Sequence, residues 1–354
     1  MENYSNNYNL KRNLSKILEW PSVAISIRKT DNFNSNSFQL LTGTQTNQKE
    51  SNFIYLLSYT KPSKPNTIPS LTVNRRFKHH DNVQKIISFT SNNVITASSN
   101  NSLYLYDITQ KCSEISTKPS LTLRPYSSEC TGVSIGVNTE KLLSSSADGE
   151  VNLWDLNVQT NIGMLEPIKS SRKHQGRVND VSWNSKNEFL YCSCGNDKRI
   201  LFYDTREEKK IIAIDTPLPV HKIAFNKFNS NLFLSSNNKH IIDLWDLRNT
   251  KIKLHTFKYH FKDISAIKWS DTNESMFIST GLDGAMVVWN VQLLEERSSP
   301  VESEDRPFEA EVIYKQGSKI FDFDWRDHKV ILVDIGNHAE VFDLESKNML
   351  SYDI

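Results

Sequence analysis

The sequence is poor in the features that mark secreted, membrane-spanning or nucleic-acid-binding proteins. Its 354 residues include four cysteines, too few for a disulfide framework in a chain of this size. No apolar run approaches the roughly 18 residues of a membrane helix, and the opening MENYSNNYNLKRNL lacks the apolar region of a signal peptide. Because 42 Lys and Arg are balanced by 41 Asp and Glu, the net charge of +1 argues against a general nucleic-acid-binding surface. We therefore expect a reducing interior, no membrane contact and no direct nucleic acid partner.

Signatures of cofactor and metal binding are also missing. The chain has no Gly-rich phosphate-binding loop. His79 and His80 are adjacent, so their side chains should point to different sides. Cys192 and Cys194 share one strand face, but no second pair completes four ligands, and both suit buried small side chains. We expect neither a cofactor nor a metal.

One pattern recurs six times along the chain, with small residues, a turn and alternating apolar residues that end in an aromatic side chain. LLSSSADGEVNLWDLN (142–157) and MFISTGLDGAMVVWNVQ (276–292) are two examples. The six aromatic residues are Tyr106, Trp154, Tyr203, Trp245, Trp289 and Phe342. Their steps of about 48, 49, 42, 44 and 53 residues are near the period of WD repeats. A weaker unit at 38–59 makes seven.

The repeat predicts an all-β fold. Period-2 alternation indicates strands, and Asp-Gly and Asn-Asn mark turns. Another strand, such as VNDVSWN (178–184) or DISAIKWS (263–270), lies between units, which gives about four strands per unit, the blade of a β-propeller. The chain thus resembles the WD-repeat family, and we expect a seven-bladed WD-repeat β-propeller over residues 22–354. The last blade closes with either 348–354 or an N-terminal strand.

Two Ser/His/Asp sets suggest a hydrolase at first sight. They are His174, Ser193, Asp197 and Tyr203 in one repeat, and His260, Ser279, Asp283 and Trp289 at matching offsets in another. A catalytic triad is normally unique in its chain, whereas this set recurs from blade to blade. The resemblance to WD repeats implies buried structural tetrads. We therefore expect no catalytic residue and no enzyme activity.

The N-terminal segment carries a helical pattern. Leu10, Leu14, Ile17 and Leu18 stand at i, i+4, i+7 and i+8, on one face of a helix. Pro21 disfavours helical geometry at the residue before it and should end the helix. We expect residues 1–21 to form an N-terminal α-helix and lead-in segment, packed on the side of the propeller.

Several stretches resemble the histone-binding WD-repeat family, which includes the retinoblastoma-binding histone chaperones, the small subunit of chromatin assembly factor and the second subunit of type B histone acetyltransferase. They are LEWPSVAISI followed by FQLLTGTQT, LWDLRNTKIKLHTFKYH, EDRPFEAEVIY and IFDFDW. The resemblance implies a non-catalytic histone-binding chaperone or escort subunit in nucleus and cytoplasm. It implies as partners histone H4, the histone H3 tail, and an acetyltransferase catalytic subunit or chromatin assembly and remodelling subunits. A generic WD-repeat scaffold, such as a ubiquitin-ligase substrate receptor, is the alternative.

An acidic loop at 295–311 combines carboxylates with two prolines and a phenylalanine. The resemblance implies that this loop and the N-terminal helix form a groove for the first helix of histone H4. The implied groove residues are Leu10, Leu14, Ile17, Glu302, Glu304, Asp305, Phe308, Glu309, Val312 and Ile313. Charge-assisted hydrogen bonds to Arg and an apolar floor suit a basic amphipathic helix. The loop departs from the family's Pro-Pro, and Lys11, Arg12 and Lys16 would repel a basic peptide if they faced it. A solvated insertion is the other interpretation.

The family's second surface is an acidic propeller face that accepts extended basic peptides, including the histone H3 tail. The resemblance places Asn82, Glu129, Asn179 and Asp263 at this propeller-face peptide site. Asn82 and Asn179 stand where acidic residues are common, so half of the charge is absent.

Overall fold

The chain forms seven sheets, arranged as the blades of a closed propeller, in which consecutive strands pair antiparallel. The computed structural model describes residues 8–18, 21–30, 33–46, 52–62, 68–109, 115–116, 118–123, 126–138, 140–157, 163–294, 307, 309–334 and 337–346. Three strands join the edge of a blade from elsewhere in the chain: β1 (Tyr8–Ile17) joins blade seven, β9 (Ile115–Ser116) pairs parallel with a strand of blade one, and β14 (Met164–Leu165) pairs parallel with a strand of blade two.

Each blade is built around three or four strands that follow one another in the chain. Blade one contains β2 (Ser22–Ile27), β3 (Ser37–Thr44), β4 (Phe53–Thr60) and β5 (Ser70–Lys78). Blade two contains β6 (Val83–Ser88), β7 (Asn93–Ser98), β8 (Leu103–Asp107) and β10 (Leu121–Leu123). Blade three contains β11 (Cys130–Ile135), β12 (Lys141–Ser146), β13 (Glu150–Asp155) and β15 (Lys169–Arg172). Blade four contains β16 (Val178–Trp183), β17 (Leu190–Gly195), β18 (Arg199–Asp204) and β19 (Glu207–Asp215). Blade five contains β20 (Val220–Phe225), β21 (Leu232–Asn237), β22 (Ile241–Asp246) and β23 (His255–Lys258). Blade six contains β24 (Ile264–Trp269), β25 (Met276–Gly281), β26 (Ala285–Asn290) and β27 (Ala310–Lys315). Blade seven contains β28 (Ile320–Arg326), β29 (Lys329–Asp334) and β30 (His338–Ser346). These sheets confirm the predicted all-β, seven-bladed propeller.

The first strand of every blade lies at the centre, and the hydrophobic core lies between neighbouring blades. Between blades five and six, for example, Phe257 packs against Phe277 and Trp289, with ring centroids 5.0 and 5.1 Å apart. All three rings are at most 1% exposed. Burying one such side chain stabilises the fold by about 1.5–3 kcal/mol. The alternating apolar residues that predicted the strands are therefore the residues that fill the spaces between blades.

The turn between β25 and β26 shows why Gly follows Asp in this repeat. Gly284 has a φ of +76°, in the left-handed region that favours glycine. A Cβ at Gly284 would collide with the carbonyl oxygens of Gln316 and Ser318, the second at 2.7 Å. Gly317, by contrast, has no atom within 4 Å of the position that a Cβ would take. The turn thus requires glycine for two reasons, the positive φ and the carbonyl oxygens that leave no room for a Cβ.

The predicted N-terminal helix is wrong, because residues 8–17 form the outer strand of blade seven. β1 pairs antiparallel with β30, from Tyr8 opposite Ser346 to Ile17 opposite His338, with a bulge between Arg12 and Leu14. Blade seven supplies only three strands of its own, so β30 offers an open edge that β1 fills. Of the two ways of closing the ring, the structure uses the N-terminal strand, while residues 347–354 lie outside the described part.

Helix is nearly absent from the described residues. They contain one 3-10 helix, Val291–Leu294. No helix within the described ranges is long and apolar enough to cross a membrane.

Candidate functional site

The structure brings the four side chains of each predicted tetrad together. In blade six, the indole Nε1 of Trp289 donates to Ser279 Oγ at 2.8 Å, and Ser279 Oγ lies 2.8 Å from His260 Nε2. The other ring nitrogen of His260 donates to the Asp283 carboxylate at 3.0 Å. Because the indole only donates, Ser279 accepts from it and has its own hydrogen left for the imidazole. The four groups form one chain of hydrogen bonds.

Blade four repeats this arrangement with a tyrosine. His174 Nδ1 donates to Asp197 at 2.9 Å, and His174 Nε2 lies 2.7 Å from Ser193 Oγ, which in turn is 3.2 Å from the Tyr203 hydroxyl. Burial, opposed by the hydrogen bond to Asp197, lowers the pKa of His174 below its ordinary value. This imidazole therefore stays neutral inside the blade.

Solvent cannot reach the serines of either tetrad. Ser193 and Ser279 are both 0% exposed, and each side chain is surrounded by its own blade. In blade six, burial alone would raise the pKa of Asp283, but hydrogen bonds from His260 and from two backbone amides hold that pKa below its ordinary value. A buried serine bonded to a histidine that a carboxylate holds in place satisfies polar groups and offers no cleft to a substrate.

The sequence also shows Ser144 and Asp148 at the tetrad positions of blade three without a histidine, but it did not reveal the histidine of a related network in blade two or the tyrosine that replaces it in blade three. His79 is 0% exposed and its Nε2 lies 2.9 Å from Thr96 Oγ1, in the position of the tetrad histidine. The histidine precedes the hydroxyl residue by 17 positions instead of 19, and Thr replaces Ser. This pair therefore does not match the His–Ser spacing of the predicted tetrads. In blade three, the Tyr126 hydroxyl contacts Ser144 where blades two, four and six have histidine. Comparing each blade's buried hydroxyl with its preceding loop would have found both.

The acidic loop is only partly within the described residues. Glu302, Glu304, Asp305 and Phe308 lie outside them. Glu309 is 5% exposed, and its carboxylate accepts a hydrogen bond from His255 Nε2 at 2.6 Å.

The end of the loop continues into the core of blade six. Glu311 is fully buried and accepts from Asn290 Nδ2 at 3.0 Å. Val312 is fully buried, and Ile313 is half-buried against the neighbouring blade. The loop thus returns to β27 through buried, hydrogen-bonded residues, which fixes its exit on the rim of the propeller.

The N-terminal segment lies beside this exit. Leu10 is 5% exposed and packs in one cluster with Val312 and Tyr314 of β27. Arg12 bonds Glu340 of β30 at 3.1 Å, and the Tyr314 hydroxyl donates to the same carboxylate at 2.9 Å. Of the other predicted groove residues on β1, Leu14 is half-buried against blade one, and the side chain of Ile17 lies outside the described part. The two segments predicted to form one groove are therefore neighbours at the seam of blades six and seven.

Exposed apolar side chains lie close to the same loop exit. Ile252 is 69% exposed and Leu254 is 56% exposed, directly before the His255 that bonds Glu309. This part of the rim therefore combines apolar side chains with the end of the acidic loop.

The four residues of the predicted propeller-face site lie at or next to the starts of inner strands, but all of them have partners within the chain. Glu129 accepts from Arg177 at 3.3 Å, and Asp263 pairs with His240 at 3.3 Å. The Asn82 side chain accepts from a backbone amide at 2.9 Å, and the Asn179 side chain donates to the carbonyl of Val220 at 2.7 Å. The two carboxylates are the accessible charges, since Glu129 is 43% and Asp263 55% exposed.

Within the described ranges, no group of three or more His, Cys, Asp or Glu side chains is arranged to hold a metal ion.

Comparison with known proteins gives matches to two family models and to a relative. Residues 12–63 match the family model described as histone-binding protein RBBP4 or the C subunit of the CAF1 complex. Residues 126–292, which contain most of blades three to six, match the model for eukaryotic translation initiation factor eIF2A. The chain is 24% identical over 319 residues to the histone acetyltransferase type B subunit 2 of Candida glabrata, covering 84% of this chain and 75% of the relative. The first and third matches confirm the resemblance to the histone-binding WD-repeat proteins.

Proposed function

We propose that this chain, which resembles the histone-binding WD-repeat proteins, is a non-catalytic histone-binding subunit of a chromatin complex. The observation that carries the proposal is the placement of β1 beside β27, where the acidic loop ends. The histone-binding family model begins at residue 12, inside β1. The match to the translation factor covers 126–292 and includes neither β1 nor β27, so it does not bear on the contact between these two strands.

The proposed ligand is the first helix of histone H4. Glu302, Glu304 and Asp305 supply negative charge for its Arg and Lys side chains, and Phe308 is the proposed apolar anchor. Ile313 adds apolar surface at the loop exit, whereas Glu309 would first have to release His255. The N-terminal wall of this groove is a strand, so the groove differs in shape from one walled by a helix.

The basic residues of β1 are compatible with such a ligand to different degrees. Arg12 is already paired with Glu340, and its side chain is 44% exposed. Lys11 is exposed, and it would repel a basic peptide that lay along the strand. The histone helix therefore contacts mainly the acidic loop in this proposal.

The propeller face is the proposed second site, for the histone H3 tail. A basic peptide would take over the carboxylates of Glu129 and Asp263 from Arg177 and His240. Truncating Arg177 to Ala should therefore strengthen peptide binding, whereas Glu129→Gln should weaken it. Equal effects of both substitutions would contradict this site.

The subunit role itself follows from the relative, which is named as part of a type B histone acetyltransferase. We propose an acetyltransferase catalytic subunit as the partner and a nuclear location. Affinity purification of the tagged chain with mass spectrometry should recover histones together with an acetyltransferase. Recovery of ubiquitin-ligase subunits without histones would favour the generic scaffold instead.

Isothermal titration with a peptide of the first H4 helix tests the rim directly. The double substitution Glu304→Lys and Asp305→Lys should weaken binding by at least about 2 kcal/mol, since losing charge pairs at an interface costs that much. The matched control is Glu207→Lys with Asp215→Lys, a double reversal of exposed carboxylates on blade four. Equal losses in both double variants would mean general electrostatic attraction. A folded wild-type protein that binds no H4 peptide would refute the proposal.

A further inference from the structure

Blade three leaves a cavity beside the segment that connects its two outer strands. After β13 the chain crosses to blade two, where β14 pairs parallel with β10, and it then returns as β15 to pair with β13. The cavity has a volume of about 400 Å³, and Pro167 of the returning segment forms part of its wall. This volume lies within the range of about 300–1,000 Å³ that is typical of small-molecule sites.

The wall of the cavity combines polar and aromatic side chains. Glu150, Asn152 and Trp154 stand at alternate positions of β13, so they share one face of the strand, and all three line the cavity. The lining also includes Arg172 of β15, which lies opposite Glu150 in the sheet. Tyr126, from the loop before β11, adds a second aromatic ring.

Asn152 is a polar residue that the repeat itself does not explain. It lies opposite the tetrad residue Ser144, at a position where blade four has Leu201 and blade six has Val287. Asn152 is only 4% exposed, and its Oδ1 accepts no hydrogen bond from any group in the described part of the chain. A buried acceptor without a donor destabilises a fold, so a role outside the fold has to account for this side chain.

Blade five shows a polar residue with a structural role at the same position. Asp243 lies opposite Ser235, and its carboxylate accepts from Lys253 at 2.9 Å and from Thr256 at 2.8 Å. Among the described residues of blade three, no equivalent donor reaches Asn152 Oδ1. Since Asn152 lines the cavity, we expect the missing donor to come from a molecule bound there.

Glu150 supplies a second acceptor, two positions away on the same strand face. The hydrogen bonds from Arg172, at 2.8 and 3.1 Å, both end on Oε2 of this carboxylate, which leaves Oε1 for another donor. Arg172 is 59% exposed and is shared with Asp148, which it contacts at 3.0 Å. One carboxylate oxygen and one amide oxygen are therefore left as acceptors for a ligand.

We propose that this cavity binds a guanidinium group. Both acceptors require donors, and a guanidinium carries several N–H groups in a planar fork, so that one group can serve both. The carboxylate favours a charged donor over a neutral one, because charge-assisted hydrogen bonds are about twice as strong. The ring of Tyr126 adds cation–π attraction. The site lies between blades two and three and does not depend on the histone proposal.

Isothermal titration of the full chain with n-butylguanidine at pH 7 tests this site. The matched ligand is n-butylurea, which has the same shape and N–H donors but no charge. Butylguanidine should bind about tenfold more tightly than butylurea, because a hydrogen bond to a charged group is worth roughly this factor more than a neutral one. Glu150→Gln should remove most of this preference, whereas Glu207→Gln, which changes an exposed carboxylate on blade four, should leave it intact.

Asn152→Leu separates binding from folding. This substitution introduces the residue type that blade four has at Leu201, and it should weaken butylguanidine binding about tenfold. The melting temperature of the free chain should stay the same or rise, because an apolar side chain of similar size replaces an unpaired buried acceptor. A structural asparagine would give the opposite result, a lower melting temperature.

A blocked tripeptide distinguishes the two sources of a guanidinium, an arginine side chain of a peptide and a free guanidino compound. Met164 and Ile168, on either side of Pro167 in the chain, are 44% and 55% exposed. These apolar side chains could contact the residues beside an arginine. N-acetyl-Leu-Arg-Leu-amide should therefore bind more tightly than butylguanidine if the source is a peptide, and more weakly if the source is a free compound.

Four results would overturn the proposal. The first two concern the folded wild-type chain, and they are an absence of butylguanidine binding and an equal affinity for butylurea. The third is a fall in the melting temperature of Asn152→Leu, which would mean that Asn152 has its partner within the free chain. The fourth, which does not depend on that variant, is an undiminished preference for butylguanidine in Glu150→Gln.

Discussion

The ion pair between Arg12 and Glu340 offers a direct test of the N-terminal strand. Arg12→Ala removes the guanidinium that lies 3.1 Å from a carboxylate with only 2% side-chain exposure. Breaking a buried pair costs about 3–5 kcal/mol, and an exposed pair is worth about 0.2–1 kcal/mol. Since the Arg12 side chain is 44% exposed, water can partly replace it. We expect a loss of about 1.5–2 kcal/mol in the free energy of unfolding.

Urea unfolding followed by tryptophan fluorescence measures this loss. Lys11→Ala, the exposed neighbour on β1, is the control and should change the free energy by less than about 0.5 kcal/mol. In a Glu340→Gln background the amide still accepts from the Tyr314 hydroxyl, so Arg12→Ala should then cost about 1 kcal/mol less. If Arg12→Ala is as mild as the control, or if the cost is the same in both backgrounds, β1 does not pair with β30 in this register.

Three further substitutions test the interior. Ser279→Ala should lower the melting temperature in differential scanning fluorimetry and reduce the free energy of unfolding by about 1–3 kcal/mol, because a buried indole and imidazole lose their partner. An unchanged melting temperature would refute the hydrogen-bond network. Burial lowers the pKa of His79 from 6.5 to about 4. Below pH 6.5 the folded chain therefore binds fewer protons than the unfolded chain. The free energy of unfolding should accordingly fall as the pH drops from 6.5 towards 4. His79→Gln should flatten this pH dependence and His80→Gln, an exposed neighbour, should not; equal slopes in both would contradict the assignment. Gly284→Ala should cost at least about 1 kcal/mol in urea unfolding because of the positive φ and the crowded carbonyls, whereas Gly317→Ala should be nearly neutral; the reverse order would refute the turn geometry.

The blades could be predicted from the sequence because each one is a local unit. In the repeat ending at Trp289, the alternating residues, the Asp-Gly turn and the buried aromatic all lie within about 15 positions. Six such units reinforce one another, so the fold class does not depend on any single strand. The tetrad residues of blades four and six were predictable for the same reason, since their spacing is constant.

The N-terminal strand could not be predicted in this way because its partner is more than 320 positions away. Leu10 and Leu14 fit a helix by spacing, but in the strand the bulge after Arg12 turns them to opposite faces, Leu10 towards blade six and Leu14 towards blade one. The open edge of β30 decides that residues 8–17 form a strand and not a helix. No pattern within those residues reveals that edge.

Closure of the ring by β1 has a consequence for synthesis on the ribosome. Tyr8 is synthesised more than 300 residues before its partner Ser346. Blades one to six contain their own strands and are able to form while translation continues. The edge strand must meanwhile remain unpaired, and an exposed strand edge is a template for association with other chains. The nascent chain therefore remains open to such association until β30 has been made.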